Sequence, residues 1–393
     1  MLFPEIPPFD YAPRTRIVYG AGELARLGEL ATEIGGRNIL LVTDPGLRDA
    51  GHEARALSFL REAQLNPVVF DDVQPNPTTD DVERGTRFAR DHQIELIIGL
   101  GGGSSLDCAK GINFLLTNGG RVEDYWGAGK ATRPMLPLIA VPTTAGTGSE
   151  AQSYAVISQA KTHLKMACGD KKAAPRVALL DPELTLTMPA LVTAVTGIDA
   201  ISHALESHVT NKRNVISAEW SRRAWSLLRR AFPQVISNPD DVATRGAMLL
   251  GAHFAGAAIE SSMLGATHAM ANPLSARYGL THGIAIGILL PHVIRFNAPV
   301  CSELYAELED DLDDISRRTA AGQSAGTALA AWVEQMVRRT DCPTSLQDCD
   351  LDDRSETTLR ALAAEASKQW TGLANPRPVS PDEFESLYRL AGF

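Results

Sequence analysis

The sequence predicts two domains in series, an α/β domain on a mostly parallel sheet and an all-α domain behind it. Three observations carry that prediction. From about residue 16 to residue 181, short β-branched runs alternate with stretches whose apolar residues recur at three- and four-residue spacing, the pattern of parallel strands joined by crossover helices. After Asp181-Pro182 the strand pattern stops, and long Ala- and Leu-rich segments take over. A length of 393 residues exceeds what one core comfortably fills. The boundary is placed at residue 183, giving domains 1–183 and 184–393.

The strand candidates are RIVYG, NILLVTD, NPVVFDDV, IELIIGL, PLIAVPT and RVALLDP. Between them HEARALSFLREAQ, TDDVERGTRFARDHQ and SLDCAKGINFLLTNGG read as helices. In the second domain DAISHALESHV, AEWSRRAWSLLRRAF and RGAMLLGAHFAGAAIESSM continue the helical pattern, and DDLDD at 310–314 reads as a solvated helix start. The most apolar stretch, GIAIGILLPHVIRF, is interrupted by Pro291, His292 and Arg295. It falls short of the roughly 18 apolar residues of a membrane span, so it reads as a buried helix.

Charge narrows the function classes. With 37 basic and 47 acidic residues the net charge is -10, and no basic tract offsets it, which disfavours nucleic acid or anionic membrane as a partner. The N-terminal MLFPEIPPFDYAPRTR has no basic segment followed by a long apolar one, so a cytoplasmic location is expected. Five cysteines without a CxxC suggest neither a disulfide framework nor a thiolate zinc cluster, and are read as reduced and structural.

The run IIGLGGGSSLDCAK places glycines between a strand and a helix, where bare backbone N–H groups can face a phosphate. Gly101, Gly102, Gly103 and Ser104 would cradle a pyrophosphate, which makes the first domain a Rossmann-like, dinucleotide-binding candidate. The pattern departs from GxGxxG, with Ser104 at the third glycine, and a ligand-free tight turn explains such glycines as well. The loop VPTTAGTGSEAQ adds hydroxyls at Thr143, Thr144, Thr147 and Ser149, suited to a polar ligand or to the loop's own backbone. Asp44, ending NILLVTD, is placed either to accept the ribose hydroxyls of NAD and repel the 2′-phosphate of NADP, or to cap a helix over GLRDAGHEARAL.

In TGIDAISHALES, Asp199 and His203 stand at i and i+4, so both project from one helix face and can share a cation. His268 and His282 follow, fourteen residues apart, within reach of a helix–loop–helix. A histidine alone in an apolar segment is usually a hydrogen-bonded core residue, the reading given to His208, His253 and His292. One Asp and three His without Cys is a borderline N/O donor set that accepts Fe(II), Zn or another first-row divalent ion.

These residues, with VYGAGE, QPNPT, PTTAGTGSE, LLDPEL, LGATHAMANPL, THGIAIGILLPHVIRFN and ANPRPVS in the same order, resemble the iron-containing (group III) alcohol dehydrogenases through nearly the whole chain. The resemblance implies a dehydroquinate synthase-like architecture and a cleft between the domains in which nicotinamide and metal meet. It implies metal ligands Asp199, His203, His268 and His282, with Fe(II) first and Zn next. Cofactor contacts are implied at Asp44, Asn76, Gly102, Gly103, Ser104, Thr143, Thr144, Thr147 and Lys165, with NAD preferred over NADP. Tyr154, Ile259 and Leu264 align with substrate-facing positions, an apolar pocket with one phenol. Many members carry His one turn after the third ligand, where it is suspected of relaying a proton; here that place in the catalytic set holds Asn272, which cannot titrate.

The implied reaction is hydride transfer between a small primary alcohol or aldehyde and nicotinamide, by a homodimer or larger homo-oligomer. Alternatives on the same scaffold are a glycerol dehydrogenase-like or other polyol or hydroxy-acid oxidoreductase, a metal-free maleylacetate reductase-like enzyme, a dehydroquinate synthase-like lyase, and a non-catalytic nucleotide- and metal-binding relative. The four ligand types argue against the metal-free enzyme. The absence of clustered Lys and Arg in the pocket argues against a phosphorylated substrate.

Overall fold

The computed structural model describes residues 8–310 and 326–393. The acidic run beyond Asp310, and with it the expected helix start, lies outside the described residues. Backbone packing divides the chain into a sheet unit, Ala12–Met188 with Asp240–Gly256, and a helical unit formed chiefly of Pro189–Pro239 and Ala257–Phe393.

In chain order the strands are β1 (Arg16–Tyr19), β2 (Asn38–Val42), β3 (Asn66–Phe70), β4 (Leu96–Gly101), β5 (Gly127–Ala128), β6 (Leu138–Pro142), β7 (Tyr154–Ser158), β8 (Lys165–Gly169) and β9 (Val177–Leu180). Six of them, those read from the sequence, form one parallel sheet in the order β1-β9-β6-β4-β2-β3. Helices α1 (Leu27–Ile34), α2 (Pro45–Asp49), α3 (His52–Glu62), α4 (Thr79–Arg90) and α5 (Gly103–Asn118) connect the early strands.

The strands read as unbroken apolar runs because both sheet faces are covered. Ile39, Leu41, Leu96 and Ile98 pack on one side with Leu30 and Leu60 of α1 and α3, while Leu40, Val42 and Ile97 pack on the other with Val82 and Ile112 of α4 and α5. The strand order also locates a crevice. The chain passes from β2 outward to β3, then returns to β4 on the opposite side of β2, so the connections leaving β2 and β4 part to opposite faces. Asp44 and the glycine turn stand at those two strand ends.

Two features depart from the sequence reading. The helix expected over GLRDAGHEARAL is broken, because Gly51 takes φ +80° between α2 and α3. A second, three-stranded sheet, β5-β8-β7, is built on an antiparallel β7–β8 hairpin that the alternation did not announce.

The remaining helices are α6 (Ala190–Val209), α7 (Val215–Ser237), α8 (Val242–Glu260), α9 (Ala266–Tyr278), α10 (His282–Glu309), α11 (Thr327–Arg338), α12 (Glu356–Ala366) and α13 (Pro381–Leu390). From Gly197 to Val209 every residue of α6 is buried, so it is the core helix of its unit. Gly283 lets α10 approach the α6 backbone closely: a Cβ there would lie 2.2 Å from the Val195 carbonyl oxygen. By length and composition α8 and α10 could cross a bilayer, but 61% and 67% of their most apolar windows are packed inside the protein.

Residues 240–256 cluster with the sheet, a return that a single cut at residue 183 does not describe. The contact is a backbone one. Gly148 takes φ +62°, and a Cβ on Gly256 would sit 2.4 Å from its carbonyl oxygen. Beside it His253 Nδ1 lies 3.2 Å from Glu150 Oε1, both side chains buried.

Candidate functional site

At the crevice the structure brings together most of the residues singled out for the cofactor. Gly102 is the N-cap of α5 and has no side chain to cap it, leaving the first N–H groups of a sixteen-residue helix directed outward. Gly103 could carry no Cβ without overlapping Thr147, whose Cγ2 would be 2.6 Å away, and Gly102 lies against Thr144. The glycine turn and the threonine loop are therefore neighbours. Asn76 adopts φ +54° and donates its backbone N–H to Ser104 Oγ at 3.2 Å.

Of the two roles the sequence left open for Asp44, the structure shows the helix cap, and it adds a tie to the glycine turn. One carboxylate oxygen accepts from Leu47 N at 3.3 Å as the N-cap of α2, and the other accepts from Ser105 Oγ at 3.0 Å, tying the end of β2 to the glycine turn. Lys165 opens β8 paired with Ser158, whose N–H donates to Pro77 O at 2.9 Å, one residue from Asn76. Tyr154 is half-buried at the other end of this hairpin, its ring against Gly169. Ile259 and Leu264 are both buried, flanking the turn between α8 and α9.

A buried ionic network underlies the threonine loop. Lys110 of α5 is fully buried and its Nζ donates to Ser149 O, Ser149 Oγ and Tyr154 O, each at 2.7 Å. Asp107, one turn earlier, accepts from Ser149 Oγ at 2.6 Å and Val156 N at 3.1 Å. Burial pushes the Asp107 carboxyl up, opposed by the Lys110 charge and these hydrogen bonds. The sequence reading passed over both residues, although their i, i+3 spacing behind the glycines puts them on one face of α5.

In the helical unit, Asp199, His203, His268 and His282 converge. Ligand atoms of Asp199, His268 and His282 lie within 4.8 Å of one another. Asp199 Oδ1 is 3.3 Å from His203 Nε2, 3.5 Å from His268 Nε2 and 3.8 Å from His282 Nε2, and the His203 and His268 Nε2 atoms face each other at 3.1 Å. Four donors about 2.1 Å from one tetrahedral ion would be roughly 3.4 Å apart, a value that the three Asp199–imidazole separations and the His203–His268 separation straddle. Asp199 Oδ1 is buried and accepts no hydrogen bond among the described residues, which a cation would remedy.

The electrostatics agree with that reading. Burial disfavours the Asp199 carboxylate, yet the three imidazoles hold its pKa far below the usual range. Burial likewise opposes charge on His268, but Asp199 and Glu206 raise it to about 9. The pocket is built for positive charge, and the three-N, one-O donor set fits a first-row divalent metal. Glu206, which sequence reasoning missed, is buried behind His268 and accepts from its Nδ1 at 2.6 Å. It stands seven residues after Asp199, on the same face of α6, a spacing that does not by itself single it out.

Asn272, one turn after His268, donates from Nδ2 to Gln369 Oε1 at 3.2 Å. Neither amide titrates. Of the three histidines read as core residues, His208, with Nδ1 3.0 Å from Ser221 Oγ, and His253, which meets Glu150, are buried, whereas His292 is half-buried, enough to lower its pKa. All five cysteines are buried and unbridged, and burial pushes the Cys168 thiol up to about 12.

Residues 13–182 match the family described as iron-containing alcohol dehydrogenase, and residues 193–392 match the C-terminal part of the Fe-containing alcohol dehydrogenase family. The chain is 33% identical to alcohol dehydrogenase 4 of Schizosaccharomyces pombe, over 95% of this chain and 87% of the relative. It is 31% identical to the NAD-dependent methanol dehydrogenase of Bacillus methanolicus, over 95% and 97% of the two chains. A crystal structure of 1,3-propanediol oxidoreductase superposes with a TM-score of 0.92 at 32% identity, over 98% of this chain and 100% of that one. With both halves matched, the chain belongs to the iron-containing alcohol dehydrogenase family, oxidoreductases acting on CH–OH groups.

Proposed function

We propose that this chain interconverts a small primary alcohol and its aldehyde with NAD(H), residues 1–183 holding the dinucleotide and residues 184–393 a single divalent metal, Fe(II) in preference to Zn. The observation that carries the reading is the convergence of three imidazole Nε2 atoms on the buried Asp199 Oδ1, which accepts no hydrogen bond among the described residues. When bound, the metal supplies Lewis-acid polarisation of the substrate oxygen and the nicotinamide supplies the hydride acceptor.

The chain's own residues do the rest. Asp199, His203, His268 and His282 hold the ion, and the Asp199 charge leaves the centre one unit less positive. The outward N–H groups at Gly103 and Ser104 take the pyrophosphate, with Thr143, Thr144, Thr147, Asn76 and Lys165 around it. Ile259 and Leu264, both buried, supply apolar surface that favours a short aliphatic substrate, and Tyr154 supplies a phenol for substrate contact. Asn272, paired with Gln369, orients by hydrogen bonding and cannot itself pass a proton. A cytoplasmic homo-oligomer completes the proposal.

Chain purified anaerobically, with its metal measured, is expected to oxidise NADH at ~340 nm with short aldehydes, and to stop when a chelator removes the metal. Ligand binding without turnover across the aldehyde panel would refute the enzymatic reading. Asp44→Ala tests the cofactor preference. Removing the carboxylate costs about 0.5–2 kcal/mol of capping at α2. It also lifts repulsion of a 2′-phosphate, so the NADP⁺/NAD⁺ ratio of kcat/KM should rise by roughly 10-fold. A wild-type preference for NADP⁺ would refute the role given to Asp44.

A further inference from the structure

We infer that Glu206 is the positioning residue of the metal centre, fixing the tautomer of His268 and the start of the helix that carries it. The inference rests on the proposed metal site and extends it to a residue that holds no metal itself.

Glu206 lies in α6, one turn beyond His203, with its carboxylate buried in the helical unit. Its two oxygens are used differently. Oε2 accepts from His268 Nδ1 at 2.6 Å, and Oε1 accepts from the backbone N–H of Thr267 at 2.7 Å. The N-cap of α9 is Gly265, which offers no side-chain acceptor, so the first N–H groups of α9 would otherwise be buried without partners. Glu206 takes that of Thr267, and the Asn375 amide oxygen takes that of Ala266 at 3.1 Å. The turn is closed tightly around these groups, since a Cβ on Gly265 would be 2.9 Å from both Glu206 Oε1 and Asn375 Oδ1.

An ionised carboxylate is acceptor-only, so the ring proton of neutral His268 must sit on Nδ1. That leaves Nε2, the atom facing Asp199 and His203, with its lone pair free for a cation. A carboxylate behind a ligating imidazole also makes it a stronger donor. The same side chain therefore sets which nitrogen can ligate and where the backbone bearing it begins.

Two variants separate this role from simple helix capping. Glu206→Gln is isosteric, and its carbonyl oxygen can still accept from Thr267 N–H. Its amide nitrogen then faces His268 Nδ1, which must accept, driving the proton onto Nε2 and blocking ligation. Glu206→Asp retracts by one methylene but remains acceptor-only. Tautomer control predicts metal affinity in the order wild type, Glu206→Asp, Glu206→Gln; capping and shape alone predict the reverse order for the variants.

The measurement is Zn²⁺ affinity of the full metal-stripped chain by competition with a chromophoric chelator, beside the melting temperature of each metal-free form. We expect Glu206→Gln to weaken Zn²⁺ binding by about 10- to 100-fold, with a metal-free melting temperature close to wild type. Wild-type affinity in Glu206→Gln, or tighter binding by Glu206→Gln than by Glu206→Asp, overturns the inference while leaving the metal site intact. Failure of the wild-type chain to bind Zn²⁺ overturns both.

Discussion

His282→Ala is expected to remove metal and turnover together while leaving the fold in place. His282 is the first residue of α10 and its side chain is about a quarter exposed, so truncation opens no deep cavity. His268 is a poorer choice, because its removal strands the buried Glu206 carboxylate. Four-ligand zinc sites bind with about 10–16 kcal/mol, so one ligand is worth roughly 3 kcal/mol, about 10²-fold in affinity. Dialysis against a chelator should leave the variant empty under conditions where wild type stays loaded, with aldehyde reduction falling in proportion. Elemental analysis and circular dichroism read the two halves of this result. Full activity in a metal-free variant would remove the basis of the Lewis-acid mechanism.

Lys110→Met carries the second large effect, on stability. Three oxygens now served by Lys110 Nζ lose a donor, and the half-buried Asp107 loses its countercharge. Breaking a buried pair from one side costs about 3–5 kcal/mol, a large part of the ~5–15 kcal/mol that stabilises a typical domain. At about 2–4 °C per kcal/mol, thermal unfolding should begin roughly 10 °C lower. NADH affinity should also fall, because Ser149 anchors the loop that carries Thr144 and Thr147. The double variant Lys110→Met, Asp107→Leu should recover part of the loss, since it removes the stranded charge. A single variant melting within about 1 °C of wild type would show that the network contributes little.

How much of this was legible in the sequence depends on how local each signal is. The six parallel strands announce themselves because both faces are buried, which forces continuous apolar runs such as LIIGLG. The β7–β8 hairpin was not visible. Its strands, YAVIS and KMACG, are short and joined through polar residues at the edge of a hydroxyl-rich loop, so the alternation that marks a crossover unit is missing. Asp199 and His203 were legible from their i, i+4 spacing. Glu206 was not, because a carboxylate on the buried face of α6 becomes meaningful only beside Thr267 and His268, some sixty residues away. Asp44 was read two ways, as cap or as ribose contact; the cap of α2 is seen, while the tie of its other oxygen to Ser105 is a long-range contact the sequence did not announce.

The return of residues 240–256 to the sheet unit bears on how the polypeptide is made. A nascent chain that has emerged only to Met188 holds every strand of the parallel sheet, yet it lacks the helix against which the Gly148 backbone and Glu150 pack. The sheet unit can be finished only after α6 and α7, which belong to the other unit, have left the ribosome. Biogenesis of the two units is therefore interleaved, and the loop at Gly148 to Glu150 is the last part of its unit to gain its native neighbours.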